Sequence, residues 1–118
     1  MTIYTTTVNN IGSEAELFKA EQMVVLFGED APADLADYCY NIKVNPLEGN
    51  IEVGKQIYFD DTAYSITAVG NVVEKNLSDL GHITIRFNGE SEAELGGTLY
   101  VEEKDLPNIN VGTQISIK

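Results

Sequence analysis

The chain has 118 residues, 19 of them acidic and 7 basic, so its formal net charge is −12 at pH 7. A protein of this charge is repelled by nucleic-acid phosphates and by anionic lipids, and we expect it to bind neither. The length fits a single domain, residues 1–118, and the 43% hydrophobic content is ordinary for a soluble globular protein.

The sequence also indicates where the protein works. No apolar run approaches the roughly 20 residues that a transmembrane helix needs, so direct membrane insertion is not expected. The N-terminal MTIYTTTVNN lacks the basic and apolar regions of a secretory signal, and the single cysteine, Cys39, has no disulfide partner. We therefore expect a cytoplasmic protein, and the acidic charge favours an electropositive protein partner.

The first half of the chain mixes strand and helix patterns. SEAELFKAEQ (13–22) predicts a short helix with Ser13 and Glu16 spaced as a capping box. APADLADYC (31–39) predicts another, with Pro32 in its first turn. Segments rich in β-branched or aromatic residues predict three strands: IYTTTVNNI (3–11), MVVLFG (23–28) and YNIKVNP (40–46).

The second half is mostly β. KQIYFDDTAYSITAV (55–69) has two alternating runs that predict a hairpin turning at Asp60-Asp61. VEKNLSDLG (73–81) predicts a helix that ends at Gly81, and Asn88-Gly89 is a strong turn signal. Further strands are predicted at HITIRF (82–87), TLYVEE (98–103) and TQISI (113–117). With seven or eight strands and two or three short helices, we expect a mainly β protein, a small closed or nearly closed β-barrel.

One internal repeat stands out. IEVGKQIYF (51–59) and INVGTQISI (109–117) share Ile, Val, Gly, Gln and Ile at the same offsets. A Val-Gly pair before a run of alternating apolar and polar residues indicates a glycine in a turn that leads directly into a strand. The repeat predicts two similar barrel strands and favours pseudo-symmetry.

The candidate chemistry rests on His82, the single histidine. No Walker-type phosphate loop, CxxC motif or GxSxG elbow is present, and no cofactor or metal site is predicted. In HITIRF the alternation directs Ile83, Ile85 and Phe87 to the core and His82 to the opposite face. An exposed imidazole can act as a nucleophile, but a surface or turn histidine that donates to a backbone carbonyl is the commoner case, since most lone histidines have no catalytic task.

Two other reactive side chains have structural interpretations. Cys39 lies beside Asp37, which disfavours a thiolate, so we expect it to be a small, semi-buried hydrophobic residue. We interpret Lys43 as a solvent-exposed lysine on a strand and not as a ligand for a phosphate group.

Several segments together resemble the glucitol/sorbitol-specific IIA component of the bacterial phosphotransferase system. The matching stretches are GEDAPADLADYC (28–39), TAVGNVVEKNLSDLGHITIRFNG (67–89) and SEAELGGTLYV (91–101). The resemblance implies a barrel-like cytoplasmic domain that accepts a phosphoryl group from the histidine-containing phosphocarrier protein. The domain would pass this group to the IIB component of the IIB/IIC permease.

The resemblance also implies an acceptor histidine just after the Tyr-Cys pair, and this position is occupied here by Ile42, between Asn41 and Lys43. His82 is then the expected acceptor. The alternative is a non-catalytic docking or regulatory relative that binds the same partners without carrying phosphate. A ligand-binding barrel is a more remote reading, and exposed edge strands would leave a homodimer open.

Overall fold

The computed structural model describes residues 2–118. Within them, three short helices accompany the strands: a 3-10 helix (Ala15–Glu21), α1 (Ala33–Ala36) and α2 (Val73–Leu80). The eight strands are β1 (Tyr4–Ile11), β2 (Met23–Gly28), β3 (Tyr40–Ile42), β4 (Gln56–Phe59), β5 (Thr62–Val69), β6 (Ile83–Arg86), β7 (Thr98–Val101) and β8 (Gln114–Ile117). The prediction of a mainly β protein with seven or eight strands and two or three short helices is confirmed.

The strands close into one barrel in the order β1-β3-β2-β6-β7-β5-β4-β8. Every one of these eight strands is hydrogen-bonded on both sides, so none of them offers a free edge. Because an unpaired edge is what invites strand addition, the predicted route to a homodimer through edge strands is not available to the barrel strands. A homodimer by another surface stays a prediction.

The barrel contains two copies of one motif, as the Val-Gly repeat predicts. Strands β1, β2, β3 and β4 correspond in order to β5, β6, β7 and β8, and the 3-10 helix corresponds to α2. The pairings repeat as well: β1–β3 and β5–β7 are antiparallel with one register shift each, and β2–β3 and β6–β7 are parallel. A pseudo-two-fold axis therefore passes through the antiparallel pairs β2–β6 and β4–β8.

The repeated Val-Gly turns are alike in detail. The amide of Lys55 donates to the carbonyl of Glu52 across the first turn, and the amide of Thr113 donates to that of Asn110 across the second. Both turn glycines have a left-handed backbone, with φ of 98° and 96°. Each turn leads directly into a strand, so the sequence repeat is a structural repeat.

The barrel interior is filled by alternate residues of the strands. Ile83, Ile85 and Phe87 are at most 1% exposed, which confirms the predicted inward face of β6. His82 lies outside this face and is partly exposed, as predicted. The hairpin between β4 and β5 also forms at Asp60-Asp61.

One local prediction was wrong, the capping box of Ser13 and Glu16. The helix predicted for 13–22 is a 3-10 helix over Ala15–Glu21, which begins one residue later than a helix capped by Ser13 would and has Glu14 at its N-cap without a side-chain cap. The amide of Glu14 donates to the carbonyl of Asp37, which ties this end of the helix to the segment after α1. At Asn88-Gly89 the chain does turn, with φ of 68° at the glycine. The predicted turn is therefore confirmed, and because β7 runs parallel to β6 the chain crosses over before the two strands pair.

The buried hydroxyl of Tyr4 in β1 should make the protein less stable as the pH rises into the alkaline range. The hydroxyl of Tyr4 makes no hydrogen bond within residues 2–118. Burial raises the pKa of Tyr4 from 10.0 to about 12, and the nearby Thr6 hydroxyl opposes this shift only in part. Between these values the unfolded chain has lost the proton that the folded chain retains, so rising pH favours unfolding.

Between about pH 10 and pH 12, the free energy of unfolding should fall by about 2–3 kcal/mol more in the wild type than in Tyr4→Phe, because phenylalanine has no hydroxyl to ionise. Urea unfolding of both proteins across this range measures the difference. An equal pH slope in wild type and Tyr4→Phe would contradict the assignment.

Candidate functional site

His82 is placed at a helix-to-strand junction. Helix α2 ends at Gly81, which has a left-handed backbone and donates its amide to the carbonyl of Leu77 at 3.0 Å. The amide of His82 then donates to the carbonyl of Asn76 at 3.2 Å. These two bonds satisfy helix-end carbonyls and fix the direction in which His82 leaves the helix.

The imidazole of His82 is held by β2 through one nitrogen. Its Nδ1 lies 3.0 Å from the backbone carbonyl oxygen of Leu26, which can only accept, so Nδ1 carries the proton. The ring stacks on Phe27 with centroids 4.1 Å apart and an interplanar angle of 22°. Two contacts from β2 therefore fix both the tautomer and the plane of the ring.

The other ring nitrogen is free. Nε2 of His82 makes no hydrogen bond to any described residue, and it is not among the buried unsatisfied atoms, which in residues 2–118 are the hydroxyls of Tyr4 and Tyr40. With the proton on Nδ1, Nε2 has the lone pair. The Nδ1 contact confirms that His82 binds a backbone carbonyl, while the reactive role, which would use Nε2, stays a prediction.

Two glycines bring the surrounding backbone close to the ring. A Cβ on Gly28 would lie 2.4 Å from the carbonyl oxygen of Leu80 and 2.5 Å from Cγ2 of Val44. A Cβ on Gly81 would lie 3.1 Å from the amide nitrogen of Gly28. The ends of β2 and α2 and the segment after β3 therefore meet beside His82, and a side chain at Gly28 would separate them.

The charged side chains near this junction are mostly acidic. Glu29 and Asp30 follow Gly28 directly, are exposed, and form no ion pair with a described residue. Asp79, before Leu80, is paired with Lys75 at 3.0 Å. Lys43 is exposed, as predicted for a solvated lysine, and has no ion-pair partner among residues 2–118.

The other candidate positions are unsuited to covalent chemistry. Ile42 is fully buried in β3, beside Val8 of β1 and Gly28 of β2, so the position where the family resemblance implies a histidine is part of the hydrophobic core. Cys39 is 3% exposed and donates its thiol to the carbonyl of Leu35. Burial raises the pKa of the Cys39 thiol, which suppresses the thiolate and fits the structural role predicted for it.

A cavity, a metal-ligand cluster or a membrane-spanning helix would be a further indication of function besides His82. A cavity of about 410 Å³ is lined by residues 2–5, Asn45, Pro46 and Glu48, and His82 does not contribute to it. Within residues 2–118 no three His, Cys, Asp or Glu side chains are grouped to hold a metal ion. No helix in the same range is long and apolar enough to cross a membrane.

Comparison with known proteins decides the family. The family model described as "PTS system glucitol/sorbitol-specific IIA component" matches residues 3–116. The chain belongs to this family. The resemblance inferred from the sequence is therefore confirmed over nearly the whole chain.

Individual relatives agree with this assignment. The glucitol/sorbitol-specific EIIA components of Shigella flexneri and Escherichia coli (strain K12) are each 44% identical over 99 residues, which cover 84% of this chain and 80% of theirs. The crystal structure of a PTS system IIA component from Enterococcus faecalis V583 superposes with a TM-score of 0.82 at 28% identity, covering 95% of this chain and 97% of that one.

The residues that hold His82 in this IIA-family protein could not be inferred from the sequence. Leu26 is 56 positions away from His82 and contributes a backbone carbonyl, which leaves no side-chain signal. Phe27 lies in an apolar run that indicates a buried strand and nothing more. Their contact with His82 depends on the antiparallel pairing of β2 with β6, which sets Leu26 opposite Ile83.

Proposed function

We propose that this IIA-family protein is a cytoplasmic phosphocarrier whose acceptor is Nε2 of His82. It would receive the phosphoryl group from the histidine-containing phosphocarrier protein and pass it to the IIB component of a glucitol/sorbitol permease. The observation that carries the proposal is that the two ring nitrogens have different surroundings: Nδ1 lies 3.0 Å from the Leu26 carbonyl oxygen, and Nε2 makes no hydrogen bond to a described residue, which leaves its lone pair available in the neutral ring. Family membership supplies the reaction class.

The transfer balances as an in-line exchange between two imidazoles. The donor is a phosphohistidine that is protonated on its second nitrogen. Its N–P bond breaks with the electron pair returning to the donor ring, while the Nε2 lone pair of His82 forms the new N–P bond. The donor ring leaves neutral, and the His82 ring becomes a phosphorylated imidazolium that keeps its proton on Nδ1.

Three features stabilise the positive charge that develops on the His82 ring. The Nδ1–H bond to the Leu26 carbonyl becomes charge-assisted, which roughly doubles the strength of such a bond. The face of Phe27 lies parallel to the ring and can interact with a cation through its π electrons. The carboxyl end of α2, which immediately precedes His82, carries a partial negative charge.

A relay assay tests this function. The protein is incubated with the general enzymes of the system and with phosphoenolpyruvate whose phosphoryl group is labelled, and then with the IIB component. We expect acid-labile label on the protein, as for a phosphohistidine, and its transfer to IIB on addition. Absence of label from a folded protein would overturn the phosphocarrier function.

The presence of Ile42 at the implied acceptor position favours one second candidate, a docking or regulatory relative. The relay assay separates the two when it is combined with a binding measurement. Binding of the histidine-containing phosphocarrier protein without any labelling would identify the docking relative. Labelling at His82 would exclude it, because a docking relative has no phosphoryl acceptor.

A further inference from the structure

We infer that an exposed apolar patch on the 3-10 helix and the α1 segment binds a basic cytoplasmic segment of the permease. The patch is formed by Leu17, Phe18, Leu35 and Tyr38 and is called here the helix patch. The inference rests on the proposed function, which makes a membrane permease the recipient of the phosphoryl group. It adds a contact with that permease that does not involve His82.

The helix patch joins two segments that connect different strands. Leu17 is 59% exposed in the 3-10 helix, between β1 and β2, and Leu35 is 48% exposed in α1, between β2 and β3. Tyr38 is 39% exposed, three residues after Leu35, and its ring lies against the half-buried Phe18 with 6.1 Å between the centroids. Single exposed apolar residues are ordinary on a protein surface, whereas a group of four that includes two aromatic rings is typical of a protein-binding site.

Backbone contacts hold the two segments together. The amide of Glu14 donates to the carbonyl of Asp37 at 2.7 Å, and the amide of Gly12 donates to that of Cys39 at 2.9 Å. A Cβ on Gly12 would overlap the carbonyl oxygens of Ala36 and Asp37, so the glycine is what permits this close approach. The helix patch is therefore formed before a partner arrives, and binding costs little ordering of the backbone.

The charge around the helix patch favours a cationic partner. Residues 14–21 and 34–38 contain five acidic residues, all of them exposed, and one basic residue, Lys19. Of these five, Glu16 is the one that forms an ion pair within residues 2–118, with Lys19 at 3.6 Å. A second copy of this chain would bring like charges together, and an anionic lipid surface would be repelled, so neither fits the patch.

A membrane permease supplies cationic segments of the required kind. Lysine and arginine are enriched in the short cytoplasmic loops of membrane proteins and near the cytoplasmic ends of their helices. Their charged heads would face the carboxylates, while their aliphatic stems and the aromatic residues common at the membrane interface would cover the apolar side chains. Such a contact would keep the protein beside its recipient and raise the effective concentration of one for the other.

The test compares Leu35→Lys with Leu95→Lys. Leu95 is 56% exposed in the connection between β6 and β7, which corresponds in the repeated motif to the connection between β2 and β3. Both variants exchange the same side chain and change the net charge equally, so Leu95→Lys is a matched control. Leu17→Lys, in the other segment of the helix patch, is the second variant, and circular dichroism checks that each one folds.

The measured quantity is the Kd of the unphosphorylated protein for vesicles that contain the permease, with permease-free vesicles of the same anionic lipids alongside. We expect Leu35→Lys and Leu17→Lys each to weaken binding by about tenfold or more, and Leu95→Lys to leave it unchanged. His82→Asn should bind like the wild type, because the helix patch does not include His82. Added salt should weaken the binding of the wild type.

Three results would overturn the inference: unchanged binding in both helix-patch variants, loss of binding in His82→Asn, or equally strong binding to the permease-free vesicles. Failure of the proposed function gives a different result, since wild-type protein would then stay unlabelled in the relay assay. The Kd comparison still decides the helix patch in that case, because it requires no phosphoryl group.

Discussion

Replacing His82 by asparagine is expected to reduce phosphoryl incorporation to background while leaving the fold intact. The Nδ2 amide of asparagine occupies nearly the place of the imidazole Nδ1 and can still donate to the Leu26 carbonyl, so the contact between β2 and the end of α2 is retained. The variant has no nitrogen lone pair at the position of Nε2. Since the reaction needs that lone pair, the whole of the labelling should be lost rather than a fraction.

The measurement is acid-labile label on His82→Asn after incubation with the phosphorylated donor protein, with circular dichroism and thermal unfolding as the check on folding. Cys39→Ala is the matched control, because Cys39 is the other candidate nucleophile and is buried. Its labelling should equal that of the wild type. Label that persists on His82→Asn would place the acceptor elsewhere.

Replacing Phe87 by alanine is expected to give a large loss of stability, about 3–5 kcal/mol. Phe87 is fully buried directly after β6 and packs edge-to-face against Tyr64, with 4.8 Å between the ring centroids. Phe59 adds a third ring at 6.2 Å from Phe87. Truncation removes the transfer free energy of the ring and leaves a cavity between strands that the closed barrel cannot easily draw together.

Urea unfolding followed by circular dichroism measures this loss. Leu95→Ala is the control, since Leu95 is 56% exposed and its truncation should change stability by no more than about 0.5 kcal/mol. A loss below about 1 kcal/mol for Phe87→Ala would show that the three rings do not form the centre of the core.

The predictions that the structure confirms are those that rest on local sequence patterns. The alternation in HITIRF predicted which residues of β6 face the core, and the Val-Gly repeat predicted the two equivalent strands. Both signals are carried by neighbouring residues, because the two-residue period of a strand and the left-handed preference of glycine act locally. The turn at Asp60-Asp61 and the end of α2 at Gly81 were predictable for the same reason.

What the sequence did not predict depends on long-range pairing. The parallel pairs β2–β3 and β6–β7 bring strands together after crossovers, and no turn residue indicates such a pairing: Asn88-Gly89 predicted a turn but not which strand β6 would pair with. For the site, the sequence predicted the outward side of His82 but not the Leu26 carbonyl that fixes its tautomer. The phosphoryl-accepting role of His82 stays a prediction.

The most direct test is to determine which nitrogen carries the phosphoryl group, by 31P and 15N NMR of the phosphorylated protein. We expect one phosphohistidine, at His82, with phosphorus bonded to Nε2 and a proton on Nδ1. Phosphorus on Nδ1, or a phosphorylated protein whose imidazole signals are unchanged, would contradict the assignment of Nε2 as the acceptor.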